Sequence, residues 1–243
     1  YVVGQGGPEI GARPNAVFEL YTVSHDTDSN YNLGYINGVQ SASGSNDGID
    51  TDNAPLEIGY IPGWGISSIG DFAEIIIYNR LLNTSEREQV ESYLTDKWLS
   101  GSTVQPPVAG AAVWVDASAT NSVLNGSGTQ ASTGQTVGSW NNIAPGHSGA
   151  LQQSTDANRP VFGSHTMNNL PVLYFDGSND AMSSTNIIAN SGTTASFFAV
   201  VRRTANPTGY RRIASFTGPS GNDWGSVGNW TVNNGDNGTT NRV

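Results

Sequence analysis

The stretch Gly70–Trp98, GDFAEIIIYNRLLNTSEREQVESYLTDKW, carries the strongest local instructions in this 243-residue chain. Phe72–Tyr78 reads as a strand. Asn83 suits a helix N-cap, and Glu86 follows three residues on, at the spacing of a capping box. Val90, Tyr93, Leu94 and Trp98 then fall on one helical face. That stripe reads as core packing for one short helix at about 83–98. A strand, a turn and a closing helix look like the end of a domain. Yet the segment stops well before the middle of the chain, so any fold must combine this ending with the residues that come after it.

Those residues open with Ser100–Pro107, SGSTVQPP. Small polar residues followed by two prolines read as a linker. On either side, short apolar runs are separated by Gly, Pro, Asn and Asp clusters, which is the pattern of strands and turns. Before the linker the runs are Val17–Val23, Asn32–Ile36, Leu56–Tyr60 and Phe72–Tyr78, with a tight-turn signal at Asn37-Gly38. After it come Ala112–Val115, Val172–Phe175, Ser196–Arg202, Arg212–Phe216 and Asn229–Val232. Residues 117–149 read as loops around one short strand near Trp140. The expected class is all-β, of sandwich or jelly-roll type.

Composition agrees. Charged residues make up only 12% of the chain, and 30 glycines supply turn geometry. Six Trp, nine Tyr and seven Phe provide core material that a disordered chain lacks. The net charge of −10 argues against a nucleic-acid partner, which this surface would repel. Lys97 is the one lysine, and the paired arginines Arg202–Arg203 and Arg211–Arg212 read as strand ends. Without cysteine there is neither a disulfide scaffold nor a thiolate metal site. No apolar run approaches the roughly 20 residues of a membrane span. The absence of an initiator Met and of a signal segment reads as a mature piece, or a window on something longer.

Gly70–Trp98 resembles the C-terminal closure of the bacterial laminin-G-like domains, of the concanavalin A-like jelly-roll superfamily. The second half resembles the opening of the same domain type. Val113–Ser118 (VWVDAS) is similar to its first strand, and Trp140–Gln152 (WNNIAPGHSGALQ) to a segment that ends in the family as H-A-x-Q. Asn158–Val161 (NRPV) and Leu170–Asp180 (LPVLYFDGSND) are similar to a strand pair of that family. Asn141 and Asn142 stand where the family usually places Asp.

The resemblance divides the chain into residues 1–101, the back half of one domain, a linker at 102–107, and residues 108–243, the front half of another. Joining the ends, Asn241-Arg242-Val243 to Tyr1-Val2-Val3-Gly4, reads as one uninterrupted strand. Either the chain is a window on a tandem array, or the two halves meet, within one chain or between neighbours. A half jelly roll alone would expose strand edges and an open core. The expected partners are therefore copies of itself or flanking repeats, at an extracellular, cell or virion surface.

Chemistry-bearing motifs are sparse. There is no G-x-S-x-G elbow and no H-E-x-x-H. His25, His147 and His165 read as surface or turn residues. The glucanase relatives of the superfamily carry E-x-D-x-E on one strand. Here Glu74, Glu19 and Glu57 each stand alone on a strand, a position that is usually solvated or paired with an arginine, and no enzyme is expected. Calcium is the more credible ligand, because Asp26, Asp28, Asp47, Asp50 and Asp52 fall in acidic loops between strands, with the alternative of solvated turns. Surface glycans are a further expected partner. Tyr60, Trp64, Trp224 and Trp230 sit in Gly-rich stretches where they would either stack on sugar rings or plug the sandwich ends. The leading reading is a non-catalytic structural or adhesive repeat of an extracellular surface or filament protein, with a carbohydrate-binding module second.

Overall fold

The computed structural model describes residues 2–3, 17–26, 31–44, 55–61, 66–100, 108–184, 194–204, 212–216 and 230–233. Residues 102–107, expected as a linker, lie outside the described residues. Ahead of them lie β1 (Val2–Val3), β2 (Phe18–Asp26), β3 (Tyr31–Ile36), β4 (Val39–Gly44), β5 (Leu56–Ile58), β6 (Tyr60–Ile61), β7 (Ile66–Ser67) and β8 (Ile69–Tyr78). Helix α1 (Thr84–Leu94) follows and runs into a π-helical turn at Thr95–Leu99. Past the linker come β9 (Val113–Asp116), β10 (Val123–Asn125), β11 (Val137–Asn141), β12 (Ala150–Gln152), β13 (Val161–Met167), β14 (Leu170–Asp176), β15 (Met182–Ser184), β16 (Thr194–Arg203), β17 (Arg212–Phe216) and β18 (Trp230–Asn233). With 52% of the structure in strands and two large antiparallel sheets, the chain is an all-β sandwich.

One sheet runs β1-β18-β17-β5-β15-β12-β11-β10. The other runs β13-β14-β8-β16-β2-β3-β4. Its long strand β8 is paired along one edge by β16. The opposite edge is shared, with β14 beside Ile69–Phe72 and β9 beside Glu74–Ile77. The two stretches flanking the linker are therefore interleaved within one chain. β8 lies between strands from the second stretch, and β5 lies between β17 and β15. At the far edge of the first sheet, Val2 lies opposite Val232.

The apolar residues pack in two layers. Ile75 and Ile77 of β8, with Phe197, Ala199 and Val201 of β16, join Trp140, Leu56, Ile58 and Phe175 between the sheets. The alternate residues Ile76, Tyr78, Phe198 and Val200 turn the other way and pack under Val90, Tyr93, Leu94 and Trp98 of the helical segment. Both faces of this sheet are buried, which explains why IIIY and FFAVV read as unbroken apolar runs instead of alternating ones.

Local signals account for the helix. The Asn83 side chain accepts a hydrogen bond from the Glu86 N–H, and the Glu86 carboxylate accepts one from the Asn83 N–H, each at 3.0 Å. Arg80 grips the same carboxylate with two N–H groups, at 2.8 and 2.9 Å. Those bonds, Arg80 first and the Asn83 N–H second, hold the Glu86 carboxyl below its usual range. The Asn37-Gly38 turn is present, with both residues at positive φ, joining β3 to β4. One sequence expectation needs correction: residues 117–149 contain β10 as well as β11. The polar run Val39–Gly44, which carries no strand signal in the sequence, forms β4. Both are edge strands, where alternation is weakest.

Candidate functional site

The densest polar cluster among the described residues is centred on Glu74, which the bulge between β8 and β16 turns toward the helix. Glu74 is completely buried. Its Oε1 accepts hydrogen bonds from the Tyr93 hydroxyl at 2.9 Å and the Trp114 indole N–H at 2.7 Å. Its Oε2 accepts from the Lys97 ammonium at 2.7 Å and the Trp98 indole N–H at 2.6 Å. Two donors on each oxygen saturate the carboxylate. Lys97 also donates to Asp116 Oδ2 at 2.5 Å and to the Tyr93 oxygen at 3.2 Å. The other Asp116 oxygen accepts from the N–H and the hydroxyl of Ser118, at 2.8 and 2.7 Å. Burial, then the nearby Asp116 carboxylate, push the Glu74 carboxyl above its ordinary range, while Lys97 and the Trp98 indole oppose the shift. Burial likewise raises the Tyr93 hydroxyl.

This arrangement corrects the reading of Glu74 as a lone strand carboxylate, solvated or paired with arginine. Its partner is the one lysine of the chain. Sequence reasoning missed Lys97, Asp116 and Trp114 as partners because they come from two other elements, the π-helical turn and β9, far from Glu74 in the chain. Asn168 adds to the same junction by donating its side-chain N–H to the Trp98 carbonyl at the end of the helical segment. Asn168 and Asn169 both have positive φ and form the tip of the β13–β14 hairpin.

A second cluster lies on the same face of the sheet, beside the helix. Buried Asp71 accepts from Arg202 Nε at 2.8 Å and Nη2 at 2.5 Å, and its other oxygen lies 2.6 Å from His165 Nδ1. The Arg202 guanidinium stacks on Phe18 at 4.4 Å, and His165 meets the edge of the Tyr174 ring. His165 thus sits half-exposed on a strand, and His25 is fully buried against Asn32. Buried His25 differs from the expected surface or turn histidines, while half-exposed His165 and exposed His147 fit that reading. The polar run Ser24-His25-Asp26 concealed the extension of β2. Burial lowers the His25 pKa, against the opposing effects of the Asn32 hydrogen bond and Asp26.

Of the acidic-loop residues, Asp26 ends β2 and is partly exposed, while Asp28, Asp47, Asp50 and Asp52 lie outside the described residues. Among the described residues no three carboxylate or imidazole groups converge as metal ligands. The Asp176–Asp180 turn uses its own oxygens internally. Asp176 accepts from the Ser178 N–H, and Asp180 from the Asp176 N–H. Burial pushes the Asp180 carboxyl up to about 6, assisted by the Asp176 charge and opposed by that N–H. Of the aromatic residues expected in loops, Tyr60 opens β6 and Trp230 opens β18; Trp64 and Trp224 lie outside the described residues. An open groove of about 480 Å³ crosses β12 and β15 on the first sheet, lined by Gln152, Gln153, Ser154, Ser183 and Ser184.

Comparison with family models, with curated proteins and with solved structures gave no match.

Proposed function

We propose that this chain is a non-catalytic structural or adhesive repeat of an extracellular surface or filament protein, built on a laminin-G-like, concanavalin A-like sandwich. Its partners are copies of itself or flanking repeats. The supporting observation is how the buried carboxylates are used. Glu74 has every acceptor position filled from inside the fold, and Asp71 is held by Arg202 and His165. Neither leaves an opposed, open carboxylate pair of the kind that glycoside hydrolysis requires. Their work is to lock strands and helix together across the linker.

A second reading, a carbohydrate-binding module with or without calcium, is favoured by the groove across β12 and β15. Amides and hydroxyls there match the hydrogen-bonding needs of a sugar. A glycan array, run with and without calcium and paired with sedimentation velocity over rising protein concentration, separates the two. The structural reading expects self-association and no glycan capture. Glycan capture that is lost in Gln152→Ala would establish the second reading instead. Turnover of any polysaccharide in the same samples would sink both.

A further inference from the structure

The Glu74–Lys97–Asp116 cluster has the parts of a self-modifying site. We infer that Lys97 and Asp116 form an amide cross-link between their side chains, with Glu74 relaying protons. The inference concerns the chain's own covalent structure and stands independently of either functional reading.

The geometry assigns each role. Lys97 Nζ is the nucleophile. It lies 2.5 Å from Asp116 Oδ2, a contact that places the amine against the carboxyl it would attack. Groups held in this way reach effective molarities of about 10⁵ M or more, enough to drive a condensation that free amines and carboxylates do not undergo in water. Asp116 Oδ1 is held by the N–H and the hydroxyl of Ser118. Two donors on that oxygen are placed to stabilise the negative charge of a tetrahedral intermediate. Oδ2 has no such pair and is the oxygen free to leave. Glu74 Oε2 lies 2.7 Å from Nζ and is the one other carboxylate oxygen that the ammonium touches. Trp98 and Tyr93 wall the ammonium, with ring centroids 5.0 and 5.5 Å away. The side chains of Glu74, Asp116 and Lys97 are 0%, 7% and 13% exposed, so little water reaches the bond to hydrolyse it.

The step balances without any outside reagent. Glu74 takes one proton from the Lys97 ammonium. Glu74 passes that proton to Asp116 Oδ2, which makes the group a neutral carboxylic acid, and the free amine Nζ attacks Cγ, forming the C–N bond and placing charge on Oδ1. Glu74 then relays a second proton from nitrogen to Oδ2. The Cγ–Oδ2 bond breaks, and Oδ2 leaves as water with both protons. One hydrogen remains on the amide nitrogen, and Glu74 ends ionised, as it began. Nothing is oxidised or reduced. Glu74 is suited to the relay because burial raises its affinity for a proton.

The bond joins the π-helical turn before the linker to β9 after it, 19 residues on. It converts an ion pair, which unfolding breaks, into a covalent closure that unfolding leaves intact.

The test is the intact mass of the purified, folded 243-residue chain, followed by tandem mass spectrometry of a tryptic digest. The expected mass is about 18 Da below that of the sequence, the loss of one water. Trypsin should fail to cut after Lys97, and the fragments should link Lys97 to Asp116. Lys97→Arg, which keeps the positive charge but cannot form this bond, and Asp116→Ala should both show their full sequence masses. An Asp-Gly succinimide loses the same mass but would persist in Lys97→Arg, and that result would overturn the assignment. So would a cross-link from Lys97 to Glu74. A wild-type chain that stays at full mass after prolonged incubation in the folded state overturns the proposal outright, whatever the variants do.

Discussion

Replacing Glu74 by alanine is expected to destabilise the sandwich by about 3–5 kcal/mol, the range for removing one partner of a buried charge pair. The substitution strands four donors at once: two indole N–H groups, a tyrosine hydroxyl and the Lys97 ammonium. Lys97 keeps Asp116, so its charge is not wholly uncompensated. Among the described residues the indole N–H groups of Trp98 and Trp114 have no acceptor besides Glu74, and a buried donor left unpaired costs about 1–3 kcal/mol. Thermal unfolding followed by tryptophan fluorescence should show Tm lower by roughly 6–20 °C, at about 2–4 °C per kcal/mol for a domain of this size. Glu74→Gln should fall between, because its carbonyl still accepts while its NH₂ faces donors. An alanine variant within 1 °C of wild type would mean that the cluster does not hold the helix to the sheet.

Gly70→Ala should be comparably damaging for a different reason. Gly70 lies in β8, between Phe175 of β14 and Arg203 of β16. A Cβ built there would sit 2.2 Å from the Arg202 carbonyl oxygen. The neighbour is backbone in the adjacent strand, so relief requires parting β8 from β16. Overpacking of this kind costs about 1–3 kcal/mol and occasionally more, and the closeness to a carbonyl puts the expected loss at about 3 kcal/mol or above. Chemical denaturation is the direct check. An unchanged midpoint would mean that β8 and β16 do not approach as described.

These two sites mark the boundary of what the sequence made legible. The helix could be read because its instructions are local: Asn83 and Glu86 are three residues apart, and the apolar stripe Val90, Tyr93, Leu94 and Trp98 recurs about once per turn. The core strands could be recognised from Ile75–Ile77 and Phe197–Val201. Their continuous apolar runs did not say which residues face the second sheet and which face the helix, because both faces are buried. The polar strands β4 and β10 gave almost no signal. Glu74, Lys97, Asp116 and Trp114 were each visible, but nothing in the sequence joined them. Their separations of 23, 19 and 40 residues are bridged only once β8 pairs with β9 and the helix folds back over it. The Asp71–Arg202 pair spans 131 residues, beyond any motif. The contacts that join the two stretches belong to the packing and left no trace in the sequence.

The central claim is that these two stretches close on each other within a single chain. Glu57 of β5 and Ser183 of β15 are direct cross-strand partners, one from each stretch. Antiparallel partners lie about 4.5–5.5 Å apart at Cα, within the span a disulfide tolerates. The chain has no cysteine of its own, so a Glu57→Cys/Ser183→Cys variant carries one possible pair. Oxidised at low protein concentration and examined by non-reducing electrophoresis and mass spectrometry, it should form one intrachain disulfide in a monomer. Disulfide-linked dimers or longer species would place the two stretches in different chains, and free thiols would separate β5 from β15. Either result contradicts the interleaved sandwich.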